Sequence, residues 1–305
     1  MSVRNALDRG WRRRFVLAVG LGLAALAGAC GPTEAATQDD GGVADDGGGQ
    51  SPDGTPNPDQ TPPESCPEEA RLIYVVSQSY RFARFDPQPN PPVFIDVGTL
   101  ACPAAGATPW SMSVDRQGKA WVLFSTGDIF WVDTKTAECT ASGYVPSQLG
   151  YQHFGMGFVS NSPGSDEETL FISGEKLEGL STTYSLGFID TSTLALSIIA
   201  PHGGAQYVAE LTGAGSGRLW GFYPIAATPR IAEFDKTTGA EINQFPLTLG
   251  PVGDFAFAHW GGNFWVFLGT NVMRVSGADG SMETVLTNQQ PWVGAGVSTC
   301  APWVD

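Results

Sequence analysis

The sequence repeats a G-x-x-W motif three times. The copies occupy residues 118–121, 217–220 and 262–265. In each copy an alternating apolar segment precedes the glycine, and strand-forming residues surround the tryptophan. This pattern is typical of a β-hairpin that holds glycine in its turn. The motif therefore indicates a repeated unit of short β-strands.

Two further copies, at Tyr74 and Phe171, fit when any large aromatic ring is allowed at the tryptophan position. The five ring positions are 74, 121, 171, 220 and 265, with spacings of 47, 50, 49 and 45 residues. A period of this size, built from short strands, is typical of β-propeller blades. Charged residues make up only 15% of the chain, and 39 Gly and 22 Pro favour many strands and turns over helices.

The strand count predicts how the ring closes. Each ring position marks the second strand of a blade, and candidate inner strands lie at 111–115, 155–160, 208–212, 255–259 and 294–300. The strand at Tyr74 has no inner strand before it, and the strand at 294–300 has no second strand after it. Pairing them removes an exposed edge. The sequence thus predicts an all-β, five-bladed β-propeller closed by its N- and C-terminal strands.

The first 30 residues have the features of an export signal. Five arginines precede an apolar run of 15 residues, from Phe15 to Ala29, which is short for a membrane span. The run ends in small residues before Cys30, as in the bacterial lipobox, so Cys30 is the predicted lipidation site. An ordinary secretory signal, with Cys30 incidental, is the alternative. Residues 12–17 also resemble a twin-arginine signal, which leaves the export route open.

Residues 31–65 are predicted to form a disordered acidic tether. They contain eight Asp or Glu, no Lys or Arg and no aromatic residue, and they are rich in Gly and Pro. Such a segment buries too little apolar surface to offset the entropy lost on ordering. The predicted domains are therefore a signal peptide (1–30), a tether (31–65) and a β-propeller (66–305).

The net charge of the chain limits the classes of partner that it can bind. The formal net charge is −15, and residues 66–305 carry 11 Lys and Arg against 22 Asp and Glu. Binding to nucleic acid needs clustered basic residues on one face. We therefore expect no nucleic-acid partner.

Four cysteines follow Cys30, an even number that indicates two disulfides in an exported domain. In the closing blade the end of the last inner strand lies beside the start of the first second strand. This predicts a Cys66–Cys300 disulfide, and Cys102–Cys139 follows by elimination. No C-x-x-C motif is present, so we expect no zinc site.

Several segments resemble a family of uncharacterised bacterial lipoproteins with propeller-like repeats. The most specific is V-G-A-G-V-S-T-C-A-P at 293–302, and the others lie at 99–103, 112–116, 154–158, 210–213 and 257–262. The resemblance covers nearly all of residues 66–305. It implies a periplasmic or cell-surface location and supplies no activity.

Catalytic signals are weak. The three histidines, His153, His202 and His259, are scattered along the chain, and no G-x-S-x-G, P-loop or dinucleotide motif occurs. We predict no catalytic residue, metal or cofactor. The alternative is an extracytoplasmic hydrolase or lyase that acts on a sugar or lactone. Its carboxylates at the channel would be Asp115, Glu210 and Asp254.

The best candidate binding surface lies at one mouth of the channel. A large ring stands just before four inner strands, and a carboxylate stands before the fifth: Trp110, Phe154, Tyr207, Trp292 and Asp254. Such rings stack on sugars or hold apolar groups, although packing between blades is the alternative for each. We therefore expect a lipid-anchored propeller at the outer membrane or cell surface that binds an extracytoplasmic protein or carbohydrate. The lipid anchor would be its only contact with the membrane.

Overall fold

The computed structural model describes residues 66–202, 207–250 and 252–303. The predicted signal peptide, Cys30 and the tether lie outside the described residues. Within them the chain forms β-strands that group into five four-stranded antiparallel sheets, the blades. No helix in the described part of the chain is long and apolar enough to cross a membrane.

Each blade contributes one strand to each of four positions. The inner strands are β4 (Pro109–Val114), β8 (Tyr151–Ser160), β12 (Glu210–Gly213), β16 (Phe255–Trp260) and β20 (Gly294–Gly296). The second strands are β1 (Ile73–Val76), β5 (Lys119–Phe124), β9 (Glu168–Glu178), β13 (Leu219–Tyr223) and β17 (Asn263–Leu268). The third strands are β2 (Arg81–Asp86), β6 (Ile129–Asp133), β10 (Ser181–Ile189), β14 (Arg230–Phe234) and β18 (Asn271–Ser276). The outer strands are β3 (Val93–Thr99), β7 (Cys139–Ala141), β11 (Leu196–Pro201), β15 (Glu241–Pro246) and β19 (Met282–Leu286).

The five blades form a closed ring. Blade 1 has the order β20-β1-β2-β3, and blades 2 to 5 are β4–β7, β8–β11, β12–β15 and β16–β19. Each inner strand contacts the inner strands of the two adjacent blades, and β20 contacts both β16 and β4. The prediction of a five-bladed β-propeller is confirmed.

Blade 1 joins the two ends of the folded chain. Strand β1 pairs with β20 in antiparallel register, with Tyr74 opposite Gly296 and Val76 opposite Gly294. The predicted inner strand, 294–300, is longer than the observed one. It ends at Gly296 because the chain turns there, with the hydroxyl of Ser298 donating to the carbonyl of Ala70 at 2.6 Å. The closure by terminal strands is confirmed.

Both predicted disulfides are present. Cys66 and Cys300 are bonded, with their Cα atoms 5.8 Å apart, and so are Cys102 and Cys139, at 5.0 Å. The first bond links the residues on either side of the blade 1 closure. The second links the segment after β3 to strand β7 in blade 2. The Cys66–Cys300 bond therefore joins the two ends of the domain at blade 1, and the Cys102–Cys139 bond joins blade 1 to blade 2.

The core lies between the blades. Trp121, Trp220 and Trp265 are each only 3% exposed. Each packs edge-to-face on a ring of an adjacent blade, in the pairs Trp121–Phe158, Trp220–Phe264 and Trp265–Phe85. Buried rings of this size dominate core energetics. The repeated tryptophan is therefore the residue that joins one blade to the next.

Polar turns follow three of the third strands. The carboxylates of Asp133, Asp190 and Asp235 accept backbone N–H bonds from the residues two and three positions later. A hydrogen bond from the Ser192 hydroxyl, together with the backbone bonds from Thr193 and Ser192, lowers the pKa of Asp190 to about 2. The aspartates thus cap turns, as their sequence context indicates.

The inner strands run in the same direction, which gives the ring two distinct faces. Gly155 of β8 lies against Ala209 and Glu210, and Gly157 lies against Thr212, so β8 and β12 are parallel. We call the face where inner strands begin the entry face and the face where they end the exit face. Because each blade is antiparallel, the loops between second and third strands also lie on the entry face.

Candidate functional site

Trp110 is the most exposed of the predicted mouth rings. It lies on the entry face at the start of β4 and is 36% exposed. Its ring stacks on His153, with the centroids 4.4 Å apart and the planes at 21°. The Nε2 atom of His153 donates to the carbonyl of Ser125 at 2.8 Å, which holds the imidazole in place. Strands β4 and β8 thus present a fixed ring pair at the surface.

Phe154 and Trp292 occupy a different environment. Phe154 is fully buried and contacts Tyr144, and Trp292 is 3% exposed and stacks on Phe94 at 5.1 Å. Both rings belong to hydrophobic clusters between or within the blades. The position of these two rings agrees with the alternative that they pack between blades and do not bind a ligand.

The remaining two mouth residues are partly accessible. Tyr207 is half-buried against the cluster that contains Phe234. Asp254 is half-buried just before β16 and accepts a 3.2 Å hydrogen bond from the side chain of Gln78. Of the five predicted residues, Trp110, Tyr207 and Asp254 are therefore accessible at the entry face. Phe154 and Trp292 are buried in the core.

A long hairpin rises from the entry face at blade 3. Strands β9 and β10 pair with each other up to Glu178 and Ser181, whereas β8 stops pairing with β9 at Lys176 and β11 stops pairing with β10 at Ser185. Beyond those points the hairpin stands as a two-stranded ribbon. At its tip, Leu177 is 72% exposed and Leu180 is fully exposed.

Most exposed large apolar residues lie on the same face. Seven of the eleven found among the described residues are in entry-face loops or strand ends: Trp110, Val145, Leu149, Leu177, Leu180, Ile225 and Val252. The other four lie on the outer strands β3, β15 and β19. Clustered exposed apolar residues mark surfaces that bind another molecule. We call the seven residues the apolar rim.

The cations near the apolar rim are paired. Arg81 bonds Asp96 at 2.7 Å, Lys176 bonds Glu178 at 2.9 Å and Arg230 bonds Glu241 at 2.6 Å. These pairs neutralise the positive charge of the three residues. The entry face therefore offers apolar side chains to a partner rather than a basic patch.

The channel is crossed by a buried carboxyl group. Glu210 lies at the start of β12, is 4% exposed, and accepts a hydrogen bond of 2.5 Å from the hydroxyl of Ser111 on β4. Burial raises the pKa of Glu210 well above its ordinary value, and the bond from Ser111 only partly opposes this effect. Because desolvation penalises the charged form, the neutral acid is favoured there.

The structure does not bring Asp115, Glu210 and Asp254 together. Asp115 follows the last residue of β4, at the exit face, whereas Asp254 precedes the first residue of β16, at the entry face. Strands of five or six residues are roughly 17–20 Å long, so the two carboxylates lie at opposite ends of the channel. Asp115 accepts bonds from the backbone of Gln117 and Lys119 and from the Trp121 indole. Its oxygens therefore hold the turn after β4.

The histidines also lie apart. His153 is on the entry face, whereas His202 and His259 are buried. Burial lowers the pKa of both to about 4, so both are neutral at pH 7. In the described part of the chain, no three His, Cys, Asp or Glu residues come close enough to hold a metal ion.

The hairpin and most of the apolar rim are features that the sequence interpretation missed. One signal was available: Phe171 and Asp190 are 19 residues apart, whereas Trp121 and Asp133, at equivalent positions in blade 2, are 12 apart. The excess length falls between the second and third strands of blade 3. It predicts a longer hairpin on the entry face.

Comparison with solved structures finds propeller-like chains at low identity. A chain of a nidogen–laminin complex aligns with a TM-score of 0.47 and 11% identity, covering 74% of this chain and 97% of that one. The Dos1 propeller aligns at 0.40 and 15%, covering 73% and 55%. A protein of unknown function from Bacteroides caccae aligns at 0.39 and 13%, covering 73% and 77%. Similarity at this level carries no argument about function.

Fold and site together define the class of this protein. It is a five-bladed β-propeller, closed by both ends of the domain, with an exposed apolar rim on one face. No protein-family model matches the sequence, and no curated protein matches it.

Proposed function

We propose that the protein is a lipid-anchored propeller of the cell envelope that binds another extracytoplasmic protein through the apolar rim. The observation that carries the proposal is the concentration of exposed apolar residues on the entry face, of which Leu177 and Leu180 at the hairpin tip are the most exposed. Exposed apolar patches mark surfaces that bind another molecule, or they promote aggregation when nothing covers them.

The charge of the chain favours a protein partner over a lipid surface. The net charge is −15, and the cations of the entry face are paired. Bilayer surfaces that contain anionic lipids attract basic segments and repel acidic ones. A protein surface with apolar residues and no excess of acidic groups complements the rim better.

The predicted tether joins the domain at the exit face. Cys66, the first described residue, lies on the exit face, where it is bonded to Cys300. A tether of residues 31–65 therefore joins the domain on the face opposite the apolar rim. The two disulfides suit an oxidising compartment outside the cytoplasm.

The anchor is tested by metabolic labelling with palmitate. We expect the wild-type chain to be labelled and to sediment with the envelope, and Cys30→Ala to be unlabelled and released. Equal labelling of both chains would contradict the anchor.

Binding is tested by native electrophoresis of detergent-solubilised envelopes. We expect the wild type to run in a complex and the Leu177→Asp, Leu180→Asp variant to run as the free chain of 32.2 kDa or less. The matched control is Ile242→Asp, Met282→Asp, which places the same charges on exposed outer-strand positions. A complex that survives in the first variant, or is lost equally in both, would contradict the proposal.

A further inference from the structure

Three cavities open side by side on the exit face. Their volumes are about 350, 400 and 830 Å³. The first two share Gln117, Lys119 and Trp131 in their walls, and the second and third share Glu69 and Lys135. They therefore form one continuous depression, the exit-face groove, which runs from blade 3 across blade 2 to blade 1.

Aromatic surfaces are spaced along this groove. Trp131 of β6 is half-buried and lines both smaller cavities, and half-buried Trp260 lines the large one with Tyr74. Lys119 lies over the Trp131 ring at 4.7 Å from its centroid, and Lys119 itself is exposed. A ligand can therefore replace this lysine on the ring without opening the core.

Several charged groups of the groove are already paired. Arg116 bonds Asp166 at 2.6 Å, and Lys135 bonds Glu69 at 2.6 Å. Glu168 accepts bonds from the backbone N–H of Arg116 and from the hydroxyl of Thr299, each at 2.8 Å. An ionic ligand would have to break these pairs. The described residues that line the three cavities include nine Asp or Glu and five Lys or Arg, so the groove would repel an anionic ligand.

Arg84 makes no such pair. It lies on β2, half-buried in the wall of the large cavity, and it has no hydrogen-bond or ion-pair partner among the residues that the structure describes. A guanidinium carries five N–H donors and no acceptor. A ligand rich in oxygen acceptors would satisfy donors that the protein leaves open.

We propose that the exit-face groove binds an uncharged oligosaccharide. Pyranose rings present an apolar face that stacks on aromatic side chains, and their hydroxyl and ring oxygens accept hydrogen bonds from groups such as Arg84. The groove combines separated rings and the donors of Arg84 along an elongated depression, and its excess of acids disfavours an anionic ligand. This site lies on the opposite face from the apolar rim and does not depend on the protein partner proposed above.

Calorimetric titration of the full-length protein in detergent tests the proposal. The probes are cellohexaose, maltohexaose and chitohexaose, with hexalysine and a heparin hexasaccharide as charged comparisons. We expect at least one neutral hexasaccharide to bind. We expect Trp131→Ala and Arg84→Ala each to weaken that binding by about three- to tenfold. The control is Met282→Ala, an exposed apolar residue on the outer strand β19 outside both the groove and the apolar rim, which should bind as the wild type does.

Arg84→Ala keeps the test valid if Trp131→Ala fails to fold, since the Arg84 side chain makes no hydrogen bond or ion pair within the described part of the chain that its removal would break. Failure of all three neutral probes to bind at millimolar concentration would overturn the proposal. So would tighter binding of a charged probe, or binding unchanged in Arg84→Ala and in folded Trp131→Ala.

Discussion

Ser111 and Glu210 are joined by a 2.5 Å hydrogen bond that links two inner strands that are not neighbours in the ring. Ser111 belongs to blade 2 and Glu210 to blade 4, so the bond spans the channel beside blade 3. At this level the channel is closed by a buried side chain. The bond therefore holds the ring together from inside, in addition to the contacts between adjacent blades.

This relationship predicts how Glu210→Gln changes stability with pH. Burial raises the pKa of Glu210 in the folded state, so folding favours the protonated acid. Its contribution is fully present below the unfolded pKa and decreases as pH rises towards the folded pKa. The glutamine keeps a carbonyl acceptor for Ser111 and cannot ionise. We expect its melting temperature at pH 8 to equal or exceed that of the wild type.

Melting curves between pH 4 and 8 provide the measurement, and Ser111→Ala is the companion variant. Loss of the donor should lower stability without changing the sign of the pH dependence. A Glu210→Gln variant that is much less stable than the wild type at pH 8 would show that the carboxylate is charged in the fold.

Glu168 predicts a second pH effect, at the exit face. Burial, opposed by bonds from Arg116 and Thr299, raises its pKa to about 7. Stability should therefore fall between about pH 4.5 and 7, by about 2–4 kcal/mol from this residue. Glu168→Gln should flatten that part of the curve. The exposed Glu138→Gln controls for the loss of one negative charge, and equal slopes in the two variants would contradict the assignment.

Two tryptophans at the entry-face ends of inner strands, Trp110 and Trp292, should behave differently. Trp292 is buried against Phe94, so Trp292→Ala should cost about 3–5 kcal/mol of unfolding free energy. Trp110 is 36% exposed, and Trp110→Ala should cost about 1 kcal/mol, the worth of its stacking on His153. Chemical denaturation gives both values. Similar large losses would mean that Trp110 is also a core residue.

The two disulfides should contribute unequally. Their sequence separations are 234 and 37 residues. In the chain-entropy model the stabilisation is about 5 kcal/mol for the longer loop and about 4 kcal/mol for the shorter one. Replacing Cys66 and Cys300 with Ala should therefore lower the unfolding free energy more than replacing Cys102 and Cys139. The reverse order, measured by denaturation, would show that ring closure does not depend on the terminal bond.

The sequence predicted the fold because the blade signal is periodic and chemically strong. The tryptophans at 121, 220 and 265 pack between blades, and glycines set the turns before them, so both appear at regular spacing. The pairing of Cys66 with Cys300 followed from the closure argument. The outer strands were not predicted, because strands such as β15 and β19 are largely exposed and lack an apolar alternation.

The candidate site was harder to predict because position before a strand does not determine exposure. Trp110 and Trp292 occupy equivalent positions in blades 2 and 1, yet one is at the surface and the other is stacked on Phe94. The difference in exposure depends on whether another strand places a side chain against the ring. Phe94 comes from β3, nearly 200 residues earlier in the chain, and no local pattern reveals that contact.

Site-specific photo-crosslinking in cells tests the central claim most directly. A photoreactive residue replaces Leu180 on the apolar rim or, as the control, Met282 on the outer strand β19, since both are exposed apolar positions. The account predicts a discrete crosslinked protein from position 180 and none from position 282. Equal crosslinking from the two positions, or none from position 180, would contradict the assignment of the entry face as the binding surface.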